Sequence, residues 1–323
     1  MSSNQQTNGT GKRIHEGKLA IVTGSARSAL QDETNLPQAW NLDLTIRVSA
    51  TSNANLSLGI GAAIVRNLAS KGCNIIVNYA TQASDEPAAK LVAELEANHG
   101  VKAVPVRADI SKTSECDKII ETAKKHFTRP DTGSLQIDIL IHNAAVLYLG
   151  PLEAVIEKEF QHIYAVNVLG PTILTAACKP YLPTDRSGRI VMMSSINSKI
   201  GLPNTSLYSG TKASLEALAR VWCRELAERA TVNTINPGPV MTDMYLSAPE
   251  EVKKQLALWN PVTPLVPVRD TDSPEVRELG DRLGGRAAYE HEIAGAVATI
   301  CNPEFGWCTG NLIGTNGGLT FSV

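Results

Sequence analysis

Short apolar runs alternate with amphipathic helical stretches along almost the whole chain, and this alternation limits the fold more than any other feature. "KLAIVTG" (18–24) is an apolar run closed by glycine and reads as a buried strand. "GAAIVRNLASKG" (61–72) spaces its apolar residues at helical intervals and stops at Gly72. Further strands are expected at "NIIVNYA" (74–80), "KAVPVRADI" (102–110), "IDILIHNAAV" (137–146), "GRIVMMSSI" (188–196) and "TVNTINPGPV" (231–240), with a short one inside "GWCTGNLIGTNGG" (306–318). Between them lie helices at "DEPAAKLVAELEANHG" (85–100), "SECDKIIETAKKHF" (114–127) and "LYSGTKASLEALARVWCRELAER" (207–229). "EAVIEKEFQHIYAVNVLGPTILTAACKPYL" reads as one long helical region with a Gly-Pro interruption. The pattern predicts an α/β fold: a doubly wound parallel sheet of Rossmann type in a single domain over 18–323. The polar residues 1–17 read as a disordered tail, and the Pro-rich, charged stretch 241–290 as a substrate-loop region.

Composition narrows the function classes. A net charge of −2 gives no electrostatic reason to expect nucleic acid or an anionic membrane as partner. No apolar run reaches the length of a membrane span. Six scattered cysteines without a CxxC pair suit reduced thiols and a cytoplasmic location, and offer no zinc-ligand spacing.

The turn after the first strand is cut open. Residues 24–27, Gly-Ser-Ala-Arg, begin a glycine-rich turn that resumes only at Gly59-Ile60-Gly61. Joined, the two pieces give a strand, turn and helix of the kind that aims backbone N–H groups and a helix N-terminus at a pyrophosphate. Gly24 would permit the tight turn, and Gly59 and Gly61 the close approach of a cofactor. The intervening segment, 28–58, is polar, contains Pro37 and has no sustained period, so it reads as an irregular insertion. A structureless loop of this length is unusual within a compact domain. Either it is a natural excursion that leaves both turn ends in place, or it is translated non-coding sequence; its in-frame position between two matching half-motifs favours the second. Loop closure grows only logarithmically with length, so the fold is expected to survive, with cofactor affinity reduced or lost.

Tyr208 and Lys212 are four apart in "YSGTK", on one face of a helix. A phenol beside an ammonium is biased toward its phenolate and can exchange a proton with a nascent alkoxide near neutral pH. Ser195, at the end of the preceding strand, can hydrogen-bond a substrate oxygen. Alone, a YxxxK pair is more often an ordinary helix surface.

Several elements coincide here: "HNAA" (142–145), "NVLG" (167–170), "SS" (194–195), "YSGTK" and "NPGPVMT" (236–242), in this order. The set resembles the short-chain dehydrogenase/reductase family, in its single-domain branch, from about Lys18 to the C-terminus apart from 28–58 and a less regular stretch near 262–285. The resemblance implies that Tyr208 is the acid/base, that Lys212 lowers its pKa and holds the nicotinamide ribose, that Ser195 orients the carbonyl, and that Asn167 anchors the water of a proton relay. It implies cofactor contacts at Gly24, Ile60, Gly61, Asp109 (adenine edge), Asn143, Val240 and Thr242. The family more often shows Asn-Asn-Ala-Gly, so His142 and Ala145 depart from it; His142 reads as a packed strand residue.

NAD-preferring members usually carry an acidic residue at the end of the second strand. Here that strand ends "VNYAT", and the first acid beyond it is Asp85. Arg27 could pair with a 2′-phosphate, or be a solvated loop side chain. The resemblance therefore implies NADP (NADPH) as cofactor over NAD, no metal, a small-molecule ketone or secondary alcohol as substrate, and a homodimer or homotetramer. Apolar residues at Met244, Tyr245, Leu256, Leu258 and Trp259 suggest an apolar or polyketide-like substrate, although core packing explains them equally well. Two other readings stay open: a non-catalytic relic or binding protein with a disrupted cofactor loop, and an epimerase or dehydratase using the same Tyr-Lys pair.

Overall fold

Seven short strands, each an apolar run, lie side by side and all parallel in the order β3-β2-β1-β4-β5-β6-β7. They are β1 (Leu19–Val22), β2 (Asn74–Tyr79), β3 (Ala103–Arg107), β4 (Ile139–His142), β5 (Gly188–Met193), β6 (Ala230–Pro237) and β7 (Leu312–Thr315). The computed structural model describes residues 11–25 and 59–321. Most of the expected tail, Arg27 and the expected insertion 28–58 lie outside the described residues.

Helices α1 (Gly59–Ser70), α2 (Asp85–His99), α3 (Thr113–Phe127), α4 (Glu157–Tyr164), α5 (Gly170–Cys178), α6 (Asn197–Ile200), α7 (Ser206–Glu225), α8 (Asp243–Leu246), α9 (Glu250–Ala257), α10 (Pro274–Leu283) and α11 (Glu290–Ile300) follow the strands. The central strands are buried on both faces, which is why they read as continuous apolar runs rather than alternating ones. One core layer packs α1, α2 and α11 on the sheet through Ile64, Leu68, Leu91, Leu95 and Val297. The other packs α3, α5 and α7 through Ile119, Ile120, Leu174, Leu215 and Trp222. The sheet order reverses between β1 and β4, and the crevice at the C-terminal ends of those strands is where such sheets hold ligands.

The strands end earlier than the sequence suggests, because their last residues turn aside to line that crevice. β4 stops at His142, and the N–H groups of Asn143 and Ala144 both donate to Thr23 Oγ1, at 3.0 and 3.1 Å, rather than to a ladder. His142 is buried in the strand, its Nε2 2.8 Å from Thr175 Oγ1.

The Gly-Pro pair does not interrupt the helix where the sequence suggests. Gly170 and Pro171 begin α5 without breaking the helical path. The irregular turn comes just before: Ala165–Leu169 wind as a π-helix, with the Gly170 N–H reaching the Ala165 carbonyl. Pro171 has no N–H to give the Asn167 carbonyl, so a widened turn here loses little. Gly170 itself is dictated by packing, since a Cβ there would lie 2.9 Å from the Ile110 side chain.

Candidate active site

Helix α7 builds one wall of the crevice. Its amphipathic pattern buries Leu215, Ala219 and Trp222 toward the sheet and, on the turns nearer its N-terminus, Tyr208 and Lys212. The Lys212 Nζ lies 5.4 Å from the centroid of the Tyr208 ring and donates to the Met193 carbonyl at 2.7 Å. Both side chains are buried and line a cleft of about 200 Å³. The lysine is thus tied to the end of β5 while its charge sits one helical turn from the phenol.

Ser195 enters from the loop after β5. Its main-chain oxygen accepts from Asn236 Nδ2 at 2.8 Å, and its Oγ accepts from the Asn197 N–H at 3.3 Å. Ser195 lines the cleft, and its hydroxyl keeps an O–H to donate there.

The opposite wall is the interrupted turn. Gly24 has φ +61°, and a Cβ there would approach the Ala144 Cα to 2.8 Å. Gly61 is tighter: its Cβ would meet the Gly24 oxygen and Asn143 Nδ2 at 2.6 Å and the Ser25 Cα at 2.8 Å. The described ends of the turn therefore lie against each other, although residues 26–58 separate Ser25 from Gly59 along the chain. Asn143 fastens the join, donating from Nδ2 to the carbonyls of Thr23 and Gly24 at 3.0 and 3.1 Å. Gly59 has φ +80° and open space where a side chain would be. No acidic residue occupies the first turn of α1, so among the described residues that turn sets no carboxylate of its own against an anion at the positive end.

Gly24, Gly59, Ile60, Gly61, Asn143, Ser195, Tyr208, Lys212, Val240 and Thr242 all line this one cleft. From the 241–290 region, Met244, Tyr245 and Leu256 join them, whereas Leu258 is 78% exposed and Trp259 lies at the surface. Burial pushes the Tyr245 phenol up to about 12, with the Glu250 charge adding to it.

Asp109 is not among the lining residues. Its carboxylate accepts from Ser111 and pairs with Lys112 at 3.1 Å, which together hold it below the usual carboxylate range against the opposing effect of burial. Asn167 sits in the π turn, almost fully buried. Its Nδ2 donates to the Val146 carbonyl and to Thr211 Oγ1, and its Oδ1 accepts from the Val146 N–H. Both N–H groups of the amide are used, and they join the loop after β4 to α7. Thr211 in turn donates to the Tyr208 carbonyl at 2.7 Å.

Three supporting residues escaped the sequence reading: Thr23, Asn236 and Glu216. Glu216 had a visible signal, because it follows Lys212 at i+4 on the buried face of α7, where a carboxylate needs partners. Asn236 opens the "NPGPVMT" element, but its bond to the Ser195 carbonyl could not be read from it, and Thr23 acts through a strand distant in sequence.

Fold and site together define a Rossmann-type α/β protein with a Tyr-Lys-Ser cluster facing a glycine-rich turn across one cleft. The sequence model described as short chain dehydrogenase matches residues 56–253, beginning just beside α1. An L-xylulose reductase of Aspergillus niger is 39% identical over 330 residues, spanning 96% of this chain and 99% of its own. An L-xylo-3-hexulose reductase of Hypocrea jecorina is 38% identical over 333 residues, spanning 96% and 99%. Among solved structures, a blue fluorescent protein from a metagenomic library, in complex with NADPH, superposes with TM-score 0.71 at 27% identity, covering 95% of this chain and 99% of that one. The chain belongs to the short-chain dehydrogenase/reductase family and is an oxidoreductase of the class acting on CH–OH and C=O groups.

Proposed function

We propose that the protein reduces a ketone to a secondary alcohol with NADPH, and runs the reverse oxidation on the same site. The observation that carries this reading is the convergence of Tyr208, Lys212 and Ser195 on a cleft whose other wall is the glycine cradle of Gly24, Gly59 and Gly61.

The residues present fit a dinucleotide. Side chains at Gly24 and Gly61 would fill the cradle, Gly59 opens it, and the α1 N-terminus supplies N–H groups and a positive end for a pyrophosphate. Val240 and Thr242 would meet the nicotinamide end, and Lys212 its ribose. NADPH is favoured over NAD because no carboxylate closes β2, and the first acid beyond it, Asp85, is neutralised by Arg107 at 2.9 Å. The NADPH complex of the metagenomic protein and the angucycline ketoreductase LanV, whose structure holds NADP at 25% identity, support the same choice.

When bound, NADPH supplies the hydride that the carbonyl carbon receives. The Tyr208 hydroxyl gives its proton to the carbonyl oxygen as negative charge grows there. The Lys212 ammonium stabilises the phenolate that remains. Ser195 donates to the same carbonyl oxygen, fixing its direction and sharing its developing charge. Asn167 and Thr211 hold the backbone under Tyr208, so the phenol meets the carbonyl without a search.

The cleft walls favour a substrate with an apolar body, of polyketide-like or aryl ketone type, since Leu147, Leu149, Leu202, Met244, Val252 and Leu256 surround the polar floor. A polyhydroxy ketone is the second reading, supported by the two ketose reductase relatives and by Asn197, a polar side chain on the same cleft. The enzyme acts in the cytoplasm as a homodimer or homotetramer; outward-facing Phe160, Leu169 and Val221 on the α4–α7 side favour association.

The test is NADPH consumption with a bicyclic aryl ketone and with L-xylulose, for wild type and Tyr208→Phe. Net consumption that falls by about 10²- to 10⁴-fold in the variant supports the mechanism. Turnover untouched in Tyr208→Phe refutes it. NADPH binding without net consumption points to the epimerase or dehydratase reading, and no binding at all to the non-catalytic one.

A further inference from the structure

Glu216 is a buried carboxylate outside the Tyr-Lys-Ser cluster, and the reaction above assigns it no task. Only 5% of the residue is exposed. A carboxylate so placed is costly unless its lone pairs are satisfied, and here its partners among the described residues come from the segment 194–199 that carries Ser195. Its Oε1 accepts from Ser194 Oγ at 2.6 Å and from Ser198 Oγ, and its Oε2 lies 3.5 Å from Lys199 Nζ. The three partners bracket Ser195 on both sides.

The same loop is held from a second direction. Asn236, near the end of β6, donates to the Ser195 carbonyl at 2.8 Å and to Ser198 Oγ at 3.3 Å. Asn236 is itself oriented by Asn316, whose Nδ2 donates to its Oδ1 at 3.3 Å. Ser194 Oγ also lies 3.3 Å from the Lys212 carbonyl. Helix α7 therefore meets the end of β5 at two successive turns: Lys212 through the Met193 carbonyl, and Glu216 through the serines flanking Ser195.

We infer that Glu216 is a positioning residue: by accepting from Ser194 and Ser198 it fixes the register of the Ser195 hydroxyl relative to Tyr208 and Lys212 on the same helix. The inference rests on the reductase reading and concerns only how the donor pair is aligned. Tyr208, Lys212 and Glu216 follow one another at i, i+4 and i+8, so a single rigid helix measures the distance between proton donor and carbonyl anchor. What the clamp needs is an acceptor oxygen with two lone pairs, which an amide also offers; the charge serves the Lys199 pair at the rim.

The test compares Glu216→Ala, Glu216→Gln and Ser198→Ala with wild type in steady-state ketone reduction, with NADPH dissociation constants and melting temperatures measured alongside. Glu216→Ala is expected to lower kcat by about 10- to 100-fold, the scale of a small misplacement of a reacting group. KM and the NADPH dissociation constant should stay within about threefold, because this clamp touches neither the cofactor cradle nor the apolar walls. Glu216→Gln should recover kcat to within about fivefold of wild type by keeping the acceptor. Ser198→Ala, which leaves Glu216 and its ion pair in place, should show a smaller loss of kcat, so the inference remains testable if Glu216→Ala does not fold. Equal losses in Gln and Ala, or kcat within twofold of wild type in both Glu216→Ala and Ser198→Ala, overturn it while the reductase reading survives. An inert wild type overturns the reading and the inference together.

Discussion

Replacing Gly61 by alanine probes whether the two ends of the interrupted turn meet in solution. On its own, an alanine in place of glycine favours a helix by about 0.5–1 kcal/mol, and less in a first turn. In this structure the added Cβ would lie 2.6 Å from the Gly24 oxygen, 2.6 Å from Asn143 Nδ2 and 2.8 Å from the Ser25 Cα. Two of those atoms are main chain and cannot step aside as a flexible side chain can. Overpacking of this kind costs about 1–3 kcal/mol, so the steric effect outweighs the propensity and leaves the fold weaker by about 1–2 kcal/mol. That corresponds to a melting temperature lower by roughly 2–6 °C. Because the displaced groups form the cradle, NADPH should bind at least about tenfold more weakly. Gly295 is the control: it lies within α11 with nothing near its missing Cβ, so Gly295→Ala should raise the melting temperature by roughly 1–3 °C and leave NADPH binding unchanged. Differential scanning fluorimetry with an NADPH titration reads both quantities. If Gly61→Ala melts at or above wild type and binds NADPH equally well while Gly295→Ala behaves as stated, Gly24 and Gly61 are not neighbours in the native protein.

Deleting residues 28–58, so that Arg27 precedes Gly59 directly, should tighten NADPH binding without lowering the melting temperature; weaker binding would mean the segment contributes to the site. Stability should also fall in mild acid. Burial lowers His15 to about 3, with Lys18, Lys71 and Arg189 adding to the effect, and burial alone lowers His142 to about 3. Both are neutral in the fold at pH values where the unfolded chain takes up protons, so their stabilisation is complete above about pH 6.5 and is lost as pH falls from 6.5 toward 3. At pH 5 each should reduce unfolding free energy by about 2 kcal/mol. Urea unfolding at pH 7.5 and 5.0 measures this, and a drop below about 1 kcal/mol in total would contradict it. His15→Phe should remove about half of the dependence, since neither His15 ring nitrogen has a partner among the described residues.

The sheet was legible because its strands are buried on both faces and write themselves as apolar runs such as "LAIV" and "ILIH". The Tyr208–Lys212 pair was legible because helical geometry alone brings i and i+4 together. Strand ends were harder to read. Asn143 and Ala144 look like a continuation of β4, and only the Thr23 hydroxyl, from a strand far away in sequence, reveals that they leave the ladder. Asn167 is legible as a site residue from its motif, but its bonds to Val146 and Thr211 and its place in a π turn just before Pro171 are not, because they depend on segments distant in sequence. Asp109 is legible by position as an expected cofactor contact, and its bonds to Ser111 and Lys112 are local to its own turn.

The site divides into halves that depend on different parts of the chain. The cradle half joins the ends of β1 and β4 to the start of α1, with Asn143 tying them. The proton half joins the ends of β5 and β6 to α7, through Lys212, Glu216 and Asn236. A disturbance between Ser25 and Gly59 should therefore weaken cofactor binding while leaving the geometry of Tyr208 and Ser195 intact, and a disturbance at Glu216 should do the reverse. The separation explains how a family fold can carry a break in its phosphate-binding turn and still present an assembled proton-transfer wall. It also means that the two sets of variants, at Gly61 and at Glu216, should combine additively in kcat/KM, within the few tenths of a kcal/mol expected of independent sites. A coupling energy above about 1 kcal/mol in that double-mutant cycle would show that the halves communicate, and would undo this division.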